Sequence, residues 1–315
     1  MPLCSLVVPE DSGRLDQWLS KELGESRSAI GKWCKEGRIC LGQKCLKAST
    51  KLKGGDTIVV DRPLSSSTEV IPEDIVVPIV YEDADVIVVN KPSGMVVHPG
   101  AGNPSGTLIN GLVDKIDKGV GDPLRPGIVH RIDKGTSGVL VVAKTQRAFD
   151  CLKAQFKDHS IERRYWTLAW GDVESQTIHK SLGRHPTRRV RFTVVEDGKH
   201  AITHITPLAS GIPAQSGKGG MVSLVECRLE TGRTHQIRVH MKSIDHPILG
   251  DSFYGRKRDP TAAWKPMLKR LTGQLLHAKV LGFRHPNGEW MSFTSDIPAV
   301  FQEVLTFARV DAFQA

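Results

Sequence analysis

Between Gly127 and Lys144 the chain reads GIVHRIDKGTSGVLVVAK: a short apolar stretch, a polar turn, then an unbroken apolar run from Val139 to Ala143. A β-branched run of that length is a buried strand, and the Gly- and Ser-containing stretch before it is a turn, so the segment predicts strand, loop, strand. One carboxylate, Asp133, falls at the tip of the loop with His130 and Arg131 beside it. A loop residue fixed between strands can be held to the tolerance that catalysis needs. The local alternative is an Asx-turn, in which the side chain bonds the backbone near Gly135. The Gly-Thr-Ser-Gly run is not a phosphate loop, since it lacks the Gly-Lys-Ser/Thr ending and opens no helix.

Several chemistries are disfavoured by what surrounds this acid. With no second acid nearby, Asp133 does not form the carboxylate pair of ordinary glycosidases. The six cysteines contain no C-x-x-C pair. His235 and His240 lie five apart on what reads as a strand, facing opposite sides, so no metal site is expected. In that strand reading Ile237, Val239 and Met241 share one face, and Gln236, Arg238 and His240 the other. No nucleotide-cofactor fingerprint occurs, so no cofactor is expected, and an isomerisation fits these absences.

Charge points to an anionic partner. Lys and Arg total 43 against 34 Asp and Glu, a net charge of +9. The excess is clustered: Lys180, Arg184, Arg188, Arg189 and Arg191 crowd one segment without an acid, and Arg256, Lys257, Arg258, Lys265, Lys269 and Arg270 form another with only Asp259 against them. Two such runs on a basic chain make a surface that can track RNA phosphates.

The chain divides into modules. Leu15, Trp18, Leu19 and Leu23 fit one helix face and Ile30 and Trp33 another, followed by short strands at Ile39–Leu41 and Ile58–Val60. Residues 62–72, with three serines and two prolines, read as a linker, and Ser210 to Gly220 as an exposed hairpin loop. No apolar run approaches a membrane span and the N-terminal residues lack a signal-peptide core, so no membrane partner is expected. Unpaired cysteines fit a reducing compartment, the cytoplasm, or an organellar stroma or matrix if a transit peptide has been removed.

In order along the chain stand Asn90-Lys91-Pro92-Ser93-Gly94 with His98-Pro99, HRIDKGTSG, IERRYWTLAWG at 161–171, GRTHQIRVH at 232–240, Gly250-Asp251 with Tyr254-Gly255, and Leu276-His277-Ala278. This ordered set resembles the RluA family of RNA pseudouridine synthases over most of residues 75–300, and residues 12–61 resemble the S4 RNA-binding domain. The resemblance implies an isomerase that breaks the N1–C1′ bond of a uridine in RNA, turns the uracil and joins C5 to C1′. Asp133 would be catalytic, attacking C1′ or removing a C2′ proton. Arg233 would pair with Asp133 and orient it, Tyr165 would stack on the target uracil, and Arg131 would fill the space left by the flipped base. Family members usually carry Lys where this chain has Arg163, Leu where it has Ile132, and Val-Asn-Gly where the S4-like segment has Leu41-Gly42-Gln43.

The expected fold is α+β: a mixed, largely antiparallel β-sheet pseudouridine synthase core over residues 73–310, with a small N-terminal S4 domain over 12–61. The expected substrate is large-subunit ribosomal RNA or a ribosomal precursor, bound by a monomer. The alternatives are a synthase acting on tRNA, a non-catalytic RNA-binding or ribosome-assembly protein, and a base-releasing hydrolase.

Overall fold

The computed structural model describes residues 3–10, 12–62, 69–100, 102–214, 220–255 and 262–311. The chain divides into two compact units, Met1–Thr68 and Glu69–Ala315. Of the expected 62–72 linker, residues 63–68 lie outside the described residues, as do 215–219 of the expected hairpin loop and 256–261 of the second basic cluster.

In the first unit, helices Leu15–Leu23 and Arg27–Lys35 follow one another closely, the second capped by Ser26, whose hydroxyl accepts the Ala29 N–H at 3.2 Å. They bury Leu15, Leu19 and Ile30 together with Ile39, Ile58 and Val60 of a four-stranded sheet. That sheet also includes Leu3–Val7, N-terminal to the expected module and antiparallel to Thr57–Asp61. The Leu41-Gly42-Gln43 departure forms a two-residue hairpin turn between Leu41 and Lys44, with Gly42 at a φ of 58°.

The second unit is built on a nine-stranded sheet. From one edge its strands run Gln176–His179, Ile202–Gly211, Val222–Leu229, Glu162–Trp170, Leu276–Arg284, Ser137–Ala143, Val86–Lys91 and Ile79–Glu82, and Trp290–Thr294 also pairs with Leu276–Arg284. Every pairing is antiparallel except that of Ser137–Ala143 with Leu276–Arg284, so the sheet is mixed and largely antiparallel, as expected. The Val139–Ala143 run is a central strand buried along its whole length, which is why it carries no alternation. Before the loop, by contrast, Ile128 makes only an isolated bridge to Val142 rather than a full strand.

The Thr-Ser-Gly that follows the loop locks it to the parallel neighbour. Thr136 Oγ1 accepts Gln274 Nε2 at 3.0 Å, and Ser137 Oγ lies 2.9 Å from His277 Nδ1. Gly138 has a φ of 112°, and a Cβ there would stand 2.2 Å from the Ala278 carbonyl oxygen, so only glycine permits this strand approach.

A further expectation is overturned. Gln236–Ser243 is an α-helix, not a strand. Residues Gln236 to Met241 are all buried, so the helix has no polar face to give its period away, and alternation between apolar and internally bonded polar residues imitates a strand.

Candidate active site

The tip of the loop before Ser137–Ala143 is closed by backbone, the Thr136 N–H donating to the Asp133 carbonyl at 3.0 Å. The Asp133 carboxylate therefore has no need to act as an Asx-turn. Its Oδ2 accepts Arg238 Nη1 at 2.8 Å. Two neighbours shape the loop from beneath. His130 Nε2 accepts the Val141 N–H at 3.1 Å while its ring stacks on Phe156, and burial lowers its pKa to about 3, so it is a neutral latch rather than a partner of the acid. Lys91, wholly buried, donates from Nζ to the carbonyls of Pro92 and Met95, each at 2.9 Å, and of Lys134 at 3.3 Å, tying its own turn to the Asp133 loop.

The expected pairing of Arg233 with Asp133 is not formed. Arg233 Nε donates to the His200 carbonyl at 3.0 Å, and the guanidinium on Asp133 belongs to Arg238. The helical turn explains the exchange: it begins after Arg233 and carries Arg238 inward to Asp133. Arg238 also grips Asp251, with Nε 2.7 Å from Oδ2 and Nη2 2.9 Å from Oδ1. Burial works against the Arg238 charge, but Asp251 and Asp133 together outweigh it and raise its pKa above the usual guanidinium range. Asp251 is itself oriented, its Oδ1 accepting the N–H groups of Phe253 at 2.8 Å and Tyr254 at 3.0 Å. Its side chain is fully sealed from solvent, so it serves the arginine and is no second catalytic acid.

His235 precedes the helix with a left-handed φ of 58° and places Nε2 3.8 Å from Asp133 Oδ2. The Tyr254 hydroxyl accepts the Phe192 N–H at 2.8 Å and lies 2.8 Å from His235 Nδ1. The hydroxyl thus links the His235 ring to the Phe192 backbone and holds it with Nε2 turned toward Asp133. Burial lowers the His235 pKa against the pull of Asp133. Arg238, His235, Asp251 and Tyr254 were absent from the expected site residues, although all four lie inside the motif segments. Their signal was the polar residues within GRTHQIRVH and the Gly250-Asp251 and Tyr254-Gly255 pairs.

Asp133, Tyr165, Arg131 and Arg233 do line one cavity of about 350 Å³. Tyr165 sits on the Glu162–Trp170 strand where its register against Leu276–Arg284 shifts. Burial raises the phenol pKa, so the ring enters as a neutral aromatic face. Arg163, two residues earlier, is buried in the same wall, with Nη2 donating to the Glu230 carbonyl at 2.9 Å and its guanidinium over the Phe156 ring. Among the described residues no group of three or more His, Cys, Asp or Glu side chains could hold a metal ion. Among the same residues no helix is long and apolar enough to cross a membrane. A carboxylate at a cavity wall, held through one oxygen by an arginine and sharing the cavity with an aromatic ring, can act as nucleophile or base toward a flat heterocycle's sugar.

Comparisons with known proteins point the same way. The model of the RNA pseudouridylate synthase family matches residues 85–243, and that of the S4 domain matches residues 13–58. An uncharacterized RNA pseudouridine synthase, YlyB of Bacillus subtilis, is 40% identical over 306 residues, 95% of each chain. Ribosomal large subunit pseudouridine synthase D of Zymomonas mobilis is 44% identical over 320 residues, 96% of each chain. The protein of the same name from Neisseria meningitidis serogroup A is 43% identical, covering 98% of this chain and 82% of that one. Among solved structures, human RNA Pseudouridylate Synthase Domain Containing 1 superposes with a TM-score of 0.56 at 26% identity, over 71% of this chain and 84% of its own.

Proposed function

This chain belongs to the RNA pseudouridylate synthase family, and we propose that it isomerises uridines of large-subunit ribosomal RNA with Asp133 as its catalytic carboxylate. The observation that carries the site assignment is the Asp133–Arg238–Asp251 chain of contacts at the wall of the cavity that Tyr165 also lines. The substrate assignment is supported by relatives named for the large ribosomal subunit at 39–44% identity over most of this chain.

Arg238 holds Asp133 through Oδ2 and leaves Oδ1 for the sugar. From there the carboxylate either forms a bond to C1′ as the N1–C1′ bond breaks, or takes the C2′ proton to give a glycal. In both routes the freed uracil turns; C5 then bonds to C1′ by displacing the Asp133 oxygen in the first, or as the Asp133 carboxyl returns its proton to C2′ in the second, and the proton lost from C5 is balanced by one gained at N1, so the RNA keeps its mass. Tyr165 stacks on the uracil while it turns, its phenol proton retained. Arg131, exposed at the cavity rim beside Asp133, occupies the place of the flipped base, and Arg233 faces the RNA backbone.

The S4 domain, over 12–61, grips RNA through the basic side chains from Lys32 to Lys53, and the 62–72 linker raises the local concentration of RNA at the 73–310 catalytic domain. The protein acts as a cytoplasmic monomer. The test is to incubate it with large-subunit ribosomal RNA and with tRNA, both free of pseudouridine, and map new sites with a base-specific chemical label. Discrete sites in the ribosomal RNA support the assignment. Sites confined to tRNA, or no sites in either, overturn it.

A further inference from the structure

Asp133 stands in the wall between two cavities. A second cavity, of about 640 Å³, shares Arg131, Ile132, Asp133, His235 and Arg238 with the one that holds Tyr165. Isomerisation of one uridine occupies only the first. The ribose at Asp133 is bonded through phosphates to a nucleotide on either side, so a neighbouring nucleotide must lie within one phosphodiester step of this wall. The second cavity opens there, and its lining suits that occupant. Asp133 is the one acid among the described residues that line it, against the cations Arg131, Lys134 and Arg238. Phe253, 38% exposed, contributes an aromatic ring with the guanidinium groups of Arg191 and Arg238 over it, each 5.5 Å from the ring centre. A partly exposed aromatic ring flanked by guanidinium groups is the pattern of a base-stacking platform. His98 adds a polar edge, its Nδ1–H donating to the Pro99 carbonyl at 2.9 Å and leaving Nε2 as an acceptor.

We propose that this second cavity holds the nucleotide adjacent to the target uridine in the same RNA strand, with its base stacked on Phe253 and its phosphate facing Arg131 and Lys134. The inference rests on the assignment of Asp133 as the catalytic carboxylate. It makes Phe253 a residue that positions the strand next to the modified site, whichever base stands there.

The experiment uses a ribosomal RNA fragment in which the full chain forms pseudouridine at a single site, so failure of the functional reading shows as absence of product. Fragments carrying 2-aminopurine immediately 5′ or 3′ of that uridine are bound to the Asp133→Asn protein and their fluorescence is read. Quenching is expected on one side only, retained with Phe253→Tyr and lost with Phe253→Leu. In the otherwise unaltered enzyme Phe253→Leu should lower kcat/KM about ten- to a hundredfold, chiefly through KM. Product formation without quenching at either neighbour, or quenching that survives Phe253→Leu, overturns the inference. So does a fall in kcat alone with KM unchanged, because Phe253 would then act only through Arg238.

Discussion

Arg238 reaches Asp133 with Nη1 alone, at 2.8 Å, because its Nε and Nη2 are both engaged by Asp251. One planar guanidinium thus sets the position of the acid from a second, sealed acid that is itself fixed by two backbone N–H groups. A lysine cannot span both carboxylates in this way. Arg238→Lys should therefore lower kcat/KM about a hundredfold or more, the scale of a misplaced reacting group, with RNA affinity much less affected. Single-turnover rates and a binding isotherm on the same RNA check it.

Removal of the anchoring acid should act on stability as well. Asp251→Ala leaves a buried guanidinium with Asp133 as its remaining acid and two N–H groups without their acceptor. A loss on the order of 3–5 kcal/mol is expected in urea unfolding.

Arg233 should behave in the opposite manner. It is half-buried and its side chain is bonded to a single carbonyl, so Arg233→Ala should change stability by no more than about 1 kcal/mol. If it meets a phosphate, the slope of log affinity against log salt should fall by about one. RNA titrations at several salt concentrations read this directly.

The contrast between these arginines marks how far the sequence could be read. Asp133 was legible as a candidate because a lone acid sits in a turn beside an apolar run, and Tyr165 through the family resemblance of the ordered motifs taken together. Arg238 was not, because six successive residues of its helix, Gln236 to Met241, are buried: Gln236 bonds Thr231 and the Ile202 carbonyl, and His240 bonds Thr203 and the Lys180 carbonyl. Apart from Thr231, these partners lie 34 to 60 residues away in the chain and turn polar residues into core residues, and no local period records that. The Asp251 anchor was equally hidden, since its function exists only once Arg238 points at it. The mixed sheet was legible in outline, but its one parallel pairing depends on Gly138 meeting Ala278, a contact across 140 residues.

Acid should weaken the fold through two buried histidines. Burial lowers His130 to about 3 and His277 to about 4, both from an ordinary value of 6.5. Below pH 6.5 the unfolded chain takes up these protons and the folded one does not, so stability is full above 6.5 and falls as the pH drops toward 4. Each histidine should account for on the order of 3 kcal/mol. Unfolding free energies measured from pH 7.5 to 4 should show this decline, and His130→Gln or His277→Gln should flatten it.

Tyr165 should matter for its ring more than for its hydroxyl. Tyr165→Phe keeps the stacking face and should retain binding of the target uridine, whereas Tyr165→Leu should lose about tenfold or more in kcat/KM. Kinetics of both variants on one defined RNA separate stacking from proton transfer, since a collapse with Phe would assign the hydroxyl a chemical role.

The most direct test of the central claim is Asp133→Asn, a near-isosteric change that removes the charge and leaves the loop closed by backbone. Pseudouridine formation in large-subunit ribosomal RNA should vanish, with RNA affinity and unfolding free energy close to those of the unaltered protein. Continued modification at the same sites would contradict the account, because the carboxylate that Arg238 positions would then not be the group that acts on the sugar.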